Sequence, residues 1–126
     1  MNKNNKGQEP LKVALVGAGN RGTVYSDYAL NEPEKMKIEA VVEPDEYRRM
    51  FAAKRYGVSE SNCFESVQEF LNKDIKIDAI INATMDRDHI RTALPLLKAG
   101  FDMLLEKPIC LDRNDLFKLY ECALKY

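Results

Sequence analysis

Residues 11–22 read LKVALVGAGNRG. The first six, LKVALV, form a short apolar run of strand length, and Gly17 ends it. Residues 20–31, NRGTVYSDYALN, continue with helical spacing that puts Val24, Tyr28 and Ala29 on one face. Strand, glycine turn and helix are the setting in which Gly17-Ala18-Gly19-Asn20-Arg21-Gly22, a G-x-G-x-x-G pattern, has chemical meaning. Gly17 permits the tight turn. Gly19 lacks a Cβ, so a diphosphate can approach the backbone, and Gly22 lets the helix pack close to the strand. The helix start at Asn20 offers N–H groups and positive potential to phosphate, and Arg21 adds a direct contact. The alternative is a glycine turn that only joins a strand to a helix.

The rest of the chain extends this unit. Residues 37–42, KIEAVV, read as a second strand running into Glu43-Pro44. Asp45 caps a helix over 46–56 that Gly57 closes, with Met50, Ala53 and Lys54 at helical spacing. A very short strand is expected at 62–64. Ser66-Val67-Gln68-Glu69 is a capping box before a helix at 67–72. IDAIINA, residues 77–83, is a strand apolar on both faces. Residues 88–99 form a helix that Pro95 kinks and Gly100 ends. FDMLL, residues 101–105, is the next strand. Asp112 caps a last helix with Leu116, Leu119, Tyr120, Ala123 and Leu124 on one face. Strands buried on both faces and alternating with helices predict an α/β fold, a doubly wound parallel sheet with right-handed crossovers.

Composition agrees with one globular domain. Of 126 residues, 45% are hydrophobic and 31% charged, which excludes long-range disorder. Residues 1–9 read as a flexible tail and 10–126 as the domain. Nineteen basic against 20 acidic residues give no electrostatic case for nucleic acid or an anionic membrane. No apolar run approaches the ~20 residues that span a bilayer. The N-terminus has no secretory apolar core. Cys63, Cys110 and Cys122 are odd in number and lack metal-ligand spacing, so no metal site is expected and a reducing, cytoplasmic setting is.

Two further features carry chemistry. Glu43 ends the second strand, 21 residues after Gly22. A carboxylate there accepts hydrogen bonds from both adenosine ribose hydroxyls and repels a 2′-phosphate, which favours NAD. Arg48 and Arg49 keep NADP open, because a guanidinium can neutralise that phosphate, although plain helix-surface charges are the simpler reading of both. Glu106-Lys107-Pro108 follows the strand at 101–105, at the sheet end where open α/β sheets bind ligands. Pro108 holds Lys107 out of helical geometry. An ammonium there can donate to a substrate hydroxyl or stabilise an alkoxide. An ordinary surface lysine before a proline is the alternative.

Together GAGNRG, the acid ending the second strand, NATMDRDH and GFDMLLEKPI resemble the Gfo/Idh/MocA oxidoreductase family over essentially residues 11–126. The resemblance implies an NAD(P)-binding Rossmann domain in which Lys107 is catalytic. It makes Glu106 a cofactor contact, and Pro108 the residue shaping the turn, with a cis peptide bond. Ala83-Thr84-Met85-Asp86-Arg87-Asp88-His89 is similar to the family's A-T-P-N-x-x-H stretch, whose backbone and fourth position line the cofactor groove. Ala83, Thr84, Asp86 and His89 are therefore candidates on the cofactor side. Met85 and Asp86 replace the usual proline and asparagine, and Asp86 accepts but cannot donate as an amide does. His89, the one histidine, is implied to position rather than to catalyse.

The family also carries a second α/β domain with most of the substrate pocket. The chain is therefore expected to be an N-terminal piece lacking the last strand and the C-terminal substrate domain. An unpaired edge at 101–105 and an uncovered face on the last helix would then promote homo-oligomers. The implied reaction moves a hydride between a nicotinamide and a hydroxyl-bearing carbon of a sugar, cyclitol or derivative, as the small-molecule substrate. Rival readings are an NAD-dependent glycosidase of the same family, a non-catalytic nucleotide-binding module, and an S-adenosylmethionine-dependent methyltransferase.

Overall fold

A computed structural model describes residues 7–126. The first six residues of the expected tail lie outside them. Five strands, β1 (Leu11–Val16), β2 (Met36–Val42), β3 (Cys63–Phe64), β4 (Ala79–Asn82) and β5 (Asp102–Leu105), form one sheet in the order β3-β2-β1-β4-β5. Every pairing is parallel. The chain leaves β1 toward one edge and crosses back after β3 to reach β4, which makes a switch point beside β1.

Helices cover both faces. They are α1 (Asn20–Ser26), α2 (Tyr28–Asn31), α3 (Glu46–Tyr56), α4 (Val67–Asn72), α5 (His89–Lys98) and α6 (Arg113–Lys125). The period of two along β1 divides the core. Val13 and Leu15 join Ile38, Val41, Ala52 and Tyr56 on one face. Ala14 and Val16 join Ala40, Val42, Phe70 and Leu96 on the other. Ile38 and Val41 share a face although they lie three apart. The register with β1 slips between Val13↔Ile38 and Ala14↔Ala40, leaving Glu39 as a bulged residue that resets the alternation.

Local signals set the helix ends. Asp45 accepts from the Arg48 amide at 2.9 Å, Ser66 from the Glu69 amide at 3.2 Å, and Asp112 from the Asn114 amide at 2.6 Å. Gly57 closes α3 in the left-handed region at φ 67°.

Three expected faces are corrected. The helix at 20–31 breaks at Asp27, and Gly22, Ser26 and Ala29 are its buried residues, with Val24 and Tyr28 exposed. The cause is close approach: a Cβ built on Gly22 would stand 2.2 Å from the Gly17 carbonyl oxygen, so only small residues fit between α1 and β1. On α3, Ala52, Ala53 and Tyr56 are buried and Met50 is exposed. On α6, Leu119 and Cys122 pack inward, and Leu116, Tyr120 and Leu124 stay exposed.

Candidate nucleotide-binding site

A cavity of about 560 Å³ opens at the carboxyl ends of β1, β2 and β4, within the range that holds a cofactor. Its floor is Val16, Gly17 and Gly19, continuing into Asn20 and Arg21. Glu43, Pro44 and Arg48 form one wall, and Ala83, Thr84 and Met85 the other. Glu65, Ser66 and Gln68 close the β3 side, and Asp88, Arg91 and Thr92 the β4 side.

The glycines divide the work. Gly17 takes φ 87°, and a Cβ there would stand 2.6 Å from the Thr84 nitrogen, so a side chain is excluded by both strain and contact. A Cβ on Gly19 meets nothing within 4 Å. Its backbone is bare where it lines the cavity, as close approach of a diphosphate requires. Gly22 stands behind the cavity and fits α1 to β1.

Two of the turn's amides are already engaged. Gly17 N–H donates to the Val42 carbonyl at 2.9 Å, and Ala18 N–H donates to Glu43 Oε1 at 3.1 Å. Amides free for phosphate therefore begin at Gly19, where the first turn of α1 leaves N–H groups without intrahelical partners. Glu43 is 6% exposed, and its Oε2 accepts from the Asp45 amide at 3.1 Å. Each carboxylate oxygen keeps a lone pair, so the group can accept further hydrogen bonds while it stays oriented.

Arg21 lies over the Tyr25 ring and donates to its hydroxyl at 3.1 Å; that bond first, then charge attraction from Tyr25 and Glu106, raises its pKa. Its Nε stands 3.9 Å from Glu106 Oε1. Glu106 Oε2 is buried with no hydrogen-bond partner among the described residues.

The other expected residues fall outside the lining. Asp86 is exposed on a short 3₁₀ turn, and Asp88 and Met85 border the cavity in its place. His89 is fully buried, with Nε2 2.8 Å from the Thr84 carbonyl and Nδ1 2.7 Å from that of Pro108. Both ring nitrogens of His89 therefore face protein carbonyls. Lys107 and Pro108 are exposed beyond β5, joined by a cis peptide bond.

The sequence reading does not single out Asn82, and Arg49 is not the plain surface charge that is its simpler reading; both stand behind the cavity lining. Asn82, wholly buried, donates to Thr92 Oγ1 at 2.9 Å and accepts from Thr84 Oγ1 at 2.9 Å. An amide closing an otherwise apolar strand is the signal that marks it, since a buried amide needs partners. Arg49 points inward, unlike Arg48. Its Nη1 donates to the carbonyls of Glu43 at 2.8 Å and Pro44 at 3.2 Å, and its Nη2 lies 3.7 Å from Glu65 Oε1. It joins the turn after β2 to the loop after β3.

The family described as an oxidoreductase family with an NAD-binding Rossmann fold matches residues 11–126. An inositol 2-dehydrogenase of Corynebacterium glutamicum (strain R) is 30% identical over 115 residues, 91% of this chain and 33% of that protein. The solved GenD2 from gentamicin A biosynthesis, in complex with NAD, superposes with TM-score 0.81 at 28% identity, over 94% of this chain and 32% of that one. The WlbA dehydrogenase of Bordetella pertussis, in complex with NADH and UDP-GlcNAcA, shares the fold at TM-score 0.84 and 18% identity, over 94% of this chain and 34% of its own. The chain thus spans about a third of the length of the relatives it matches. With the parallel sheet, the glycine turn and the acidic wall in place, the chain belongs to the Gfo/Idh/MocA oxidoreductase family and carries its NAD-binding Rossmann fold.

Proposed function

We propose that the chain holds the NAD of a dehydrogenase acting on a hydroxyl-bearing carbon of a sugar or cyclitol. One observation carries the reading: the bare backbone of Gly19 and the oriented carboxylate of Glu43 face one cavity at the strand ends. In this reading Gly19, Asn20 and Arg21 hold the diphosphate. Glu43 accepts the adenosine ribose hydroxyls, with Arg48 at the outer edge. Ala83 and Thr84 line the opposite wall.

NAD supplies the hydride acceptor. Lys107 directs its ammonium hydrogens as hydrogen-bond donors to the substrate oxygen and stabilises negative charge that develops there. Glu106, engaged with Arg21, belongs to the cofactor side of that turn, and Pro108 shapes it. The inositol 2-dehydrogenase relatives support a cyclitol or sugar as substrate.

Calorimetric titration with NAD, NADP and S-adenosylmethionine tests the proposal. NAD is expected to bind in preference to NADP. Binding of S-adenosylmethionine alone rejects the dehydrogenase reading.

A further inference from the structure

His89 stands where two candidate functional segments meet. Its ring is fully buried, and Nε2 lies 2.8 Å from the Thr84 carbonyl oxygen. Nδ1 lies 2.7 Å from the Pro108 carbonyl oxygen and 3.2 Å from that of Ile109. Thr84 lines the cavity and backs directly onto the glycine turn, since a Cβ on Gly17 would stand 2.6 Å from the Thr84 nitrogen. Pro108 is covalently joined to Lys107. Pairing of β4 with β5 reaches Asn82↔Leu105 and ends with the Glu106 amide on the Asn82 carbonyl. Past that point, His89 spans the gap between the two loops.

All three of its partners are main-chain carbonyls, which only accept. A neutral imidazole donates from one nitrogen and a protonated one from both, so the ring supplies every hydrogen in the bridge. The Thr84 backbone lies close against Gly17, and the His89 ring meets Thr84 and Pro108 through their main-chain carbonyls. A displacement of the Thr84 carbonyl must be absorbed by the ring or passed on to Pro108.

We infer that His89 is a positioning residue that couples seating of the cofactor diphosphate at the glycine turn to the placement of Lys107. The inference rests on the reading of the cavity as the NAD site and of Lys107 as the acting lysine.

ADP isolates the coupling, because it carries the adenosine and diphosphate but no nicotinamide to touch Lys107. The chain has a single histidine, so its ring ¹⁵N signals are unambiguous. In the 126-residue chain, ADP is expected to shift the amides of Gly17 and Thr84, the His89 ring nitrogens, and the amides of Ile109 and Cys110. His89→Asn places an amide where Nδ1 sits, and His89→Gln places one where Nε2 sits, so each keeps half of the bridge. In both variants Gly17 and Thr84 should still respond, and the response at Ile109 and Cys110 should disappear. A response at Ile109 and Cys110 that survives in both variants overturns the inference. So does a wild-type ring that stays silent while Thr84 responds, a result that decides the matter even where neither variant folds. Absence of any shift at Gly17 and Thr84 rejects the cavity reading, and the inference falls with it.

Discussion

Glu43 Oε1 accepts a hydrogen bond from the Ala18 amide at 3.1 Å, so the acid that ends β2 is tied to the glycine turn that follows β1. The two features expected to hold opposite parts of the adenosine diphosphate are one hydrogen-bonded unit. A diphosphate seated on the turn and a ribose held by the carboxylate therefore share a common frame.

Glu43→Ala removes the acceptor of two amides, Ala18 and Asp45. Leaving the buried Ala18 donor unpaired costs about 1–3 kcal/mol. Chemical denaturation should show that loss, and calorimetry should show NAD weakened more than NADP. Equal losses for both dinucleotides would mean that the carboxylate serves the turn and does not read the ribose.

Gly22→Ala and Gly19→Ala should separate folding from binding. A Cβ at Gly22 collides with the Gly17 carbonyl oxygen at 2.2 Å and nears Leu15 Cδ1 at 3.1 Å. Overpacking of this kind costs about 1–3 kcal/mol. A Cβ at Gly19 meets open space, so the melting temperature should hold while NAD binding falls. Unchanged affinity in Gly19→Ala would place the diphosphate elsewhere.

Adjacent arginines should behave differently. Arg49→Ala loses charged hydrogen bonds to the Glu43 and Pro44 carbonyls, worth about 1.5–3 kcal/mol, and slackens the turn after β2. Exposed Arg48 lines the cavity, and Arg48→Ala should change stability by no more than about 0.5 kcal/mol. Its effect should appear in titrations with NADP. Matching denaturation curves for the two variants would refute the distinction.

The Asp27–Arg55–Tyr56 cluster should shape stability at both ends of the pH scale. Arg55 donates to both Asp27 oxygens, at 2.8 and 2.9 Å, and lowers the carboxyl from its ordinary 3.8. Tyr56 donates to Asp27 at 2.8 Å; burial first, then that bond, pushes its hydroxyl up to about 12. A lowered carboxyl gives stability that is present above its unfolded value and lost as pH falls through its folded one. A raised phenol gives stability that is present below 10.0 and lost as pH rises toward about 12. Asp27→Asn should therefore flatten the acid limb, and Tyr56→Phe the alkaline limb, in denaturation series across pH. Limbs identical to those of the wild type would remove the cluster from the account.

Much of the frame was readable because its causes are local. Asp45, Ser66 and Asp112 cap helices within three residues of themselves, and Gly57 takes the left-handed geometry that ends α3. Burial on α1 was misjudged for a non-local reason. Periodicity ranks Val24 above Ser26, but the distance between helix and strand at Gly22 admits only the small face. Arg48 and Arg49 are alike in composition, and one helical step turns one to the cavity and the other to the β2–α3 turn.

By itself the sequence determined the alternation of strands and helices, the turn that bends without side chains, and the acid that follows the second strand. Each depends on residues close along the chain. Only the tertiary structure decided that Glu43 would be held by Ala18, that Asp88 rather than Asp86 would border the cavity, and that His89 would join Thr84 to Pro108. Those outcomes depend on how elements far apart in sequence stack around one sheet, where burial and approach distance outweigh local preference.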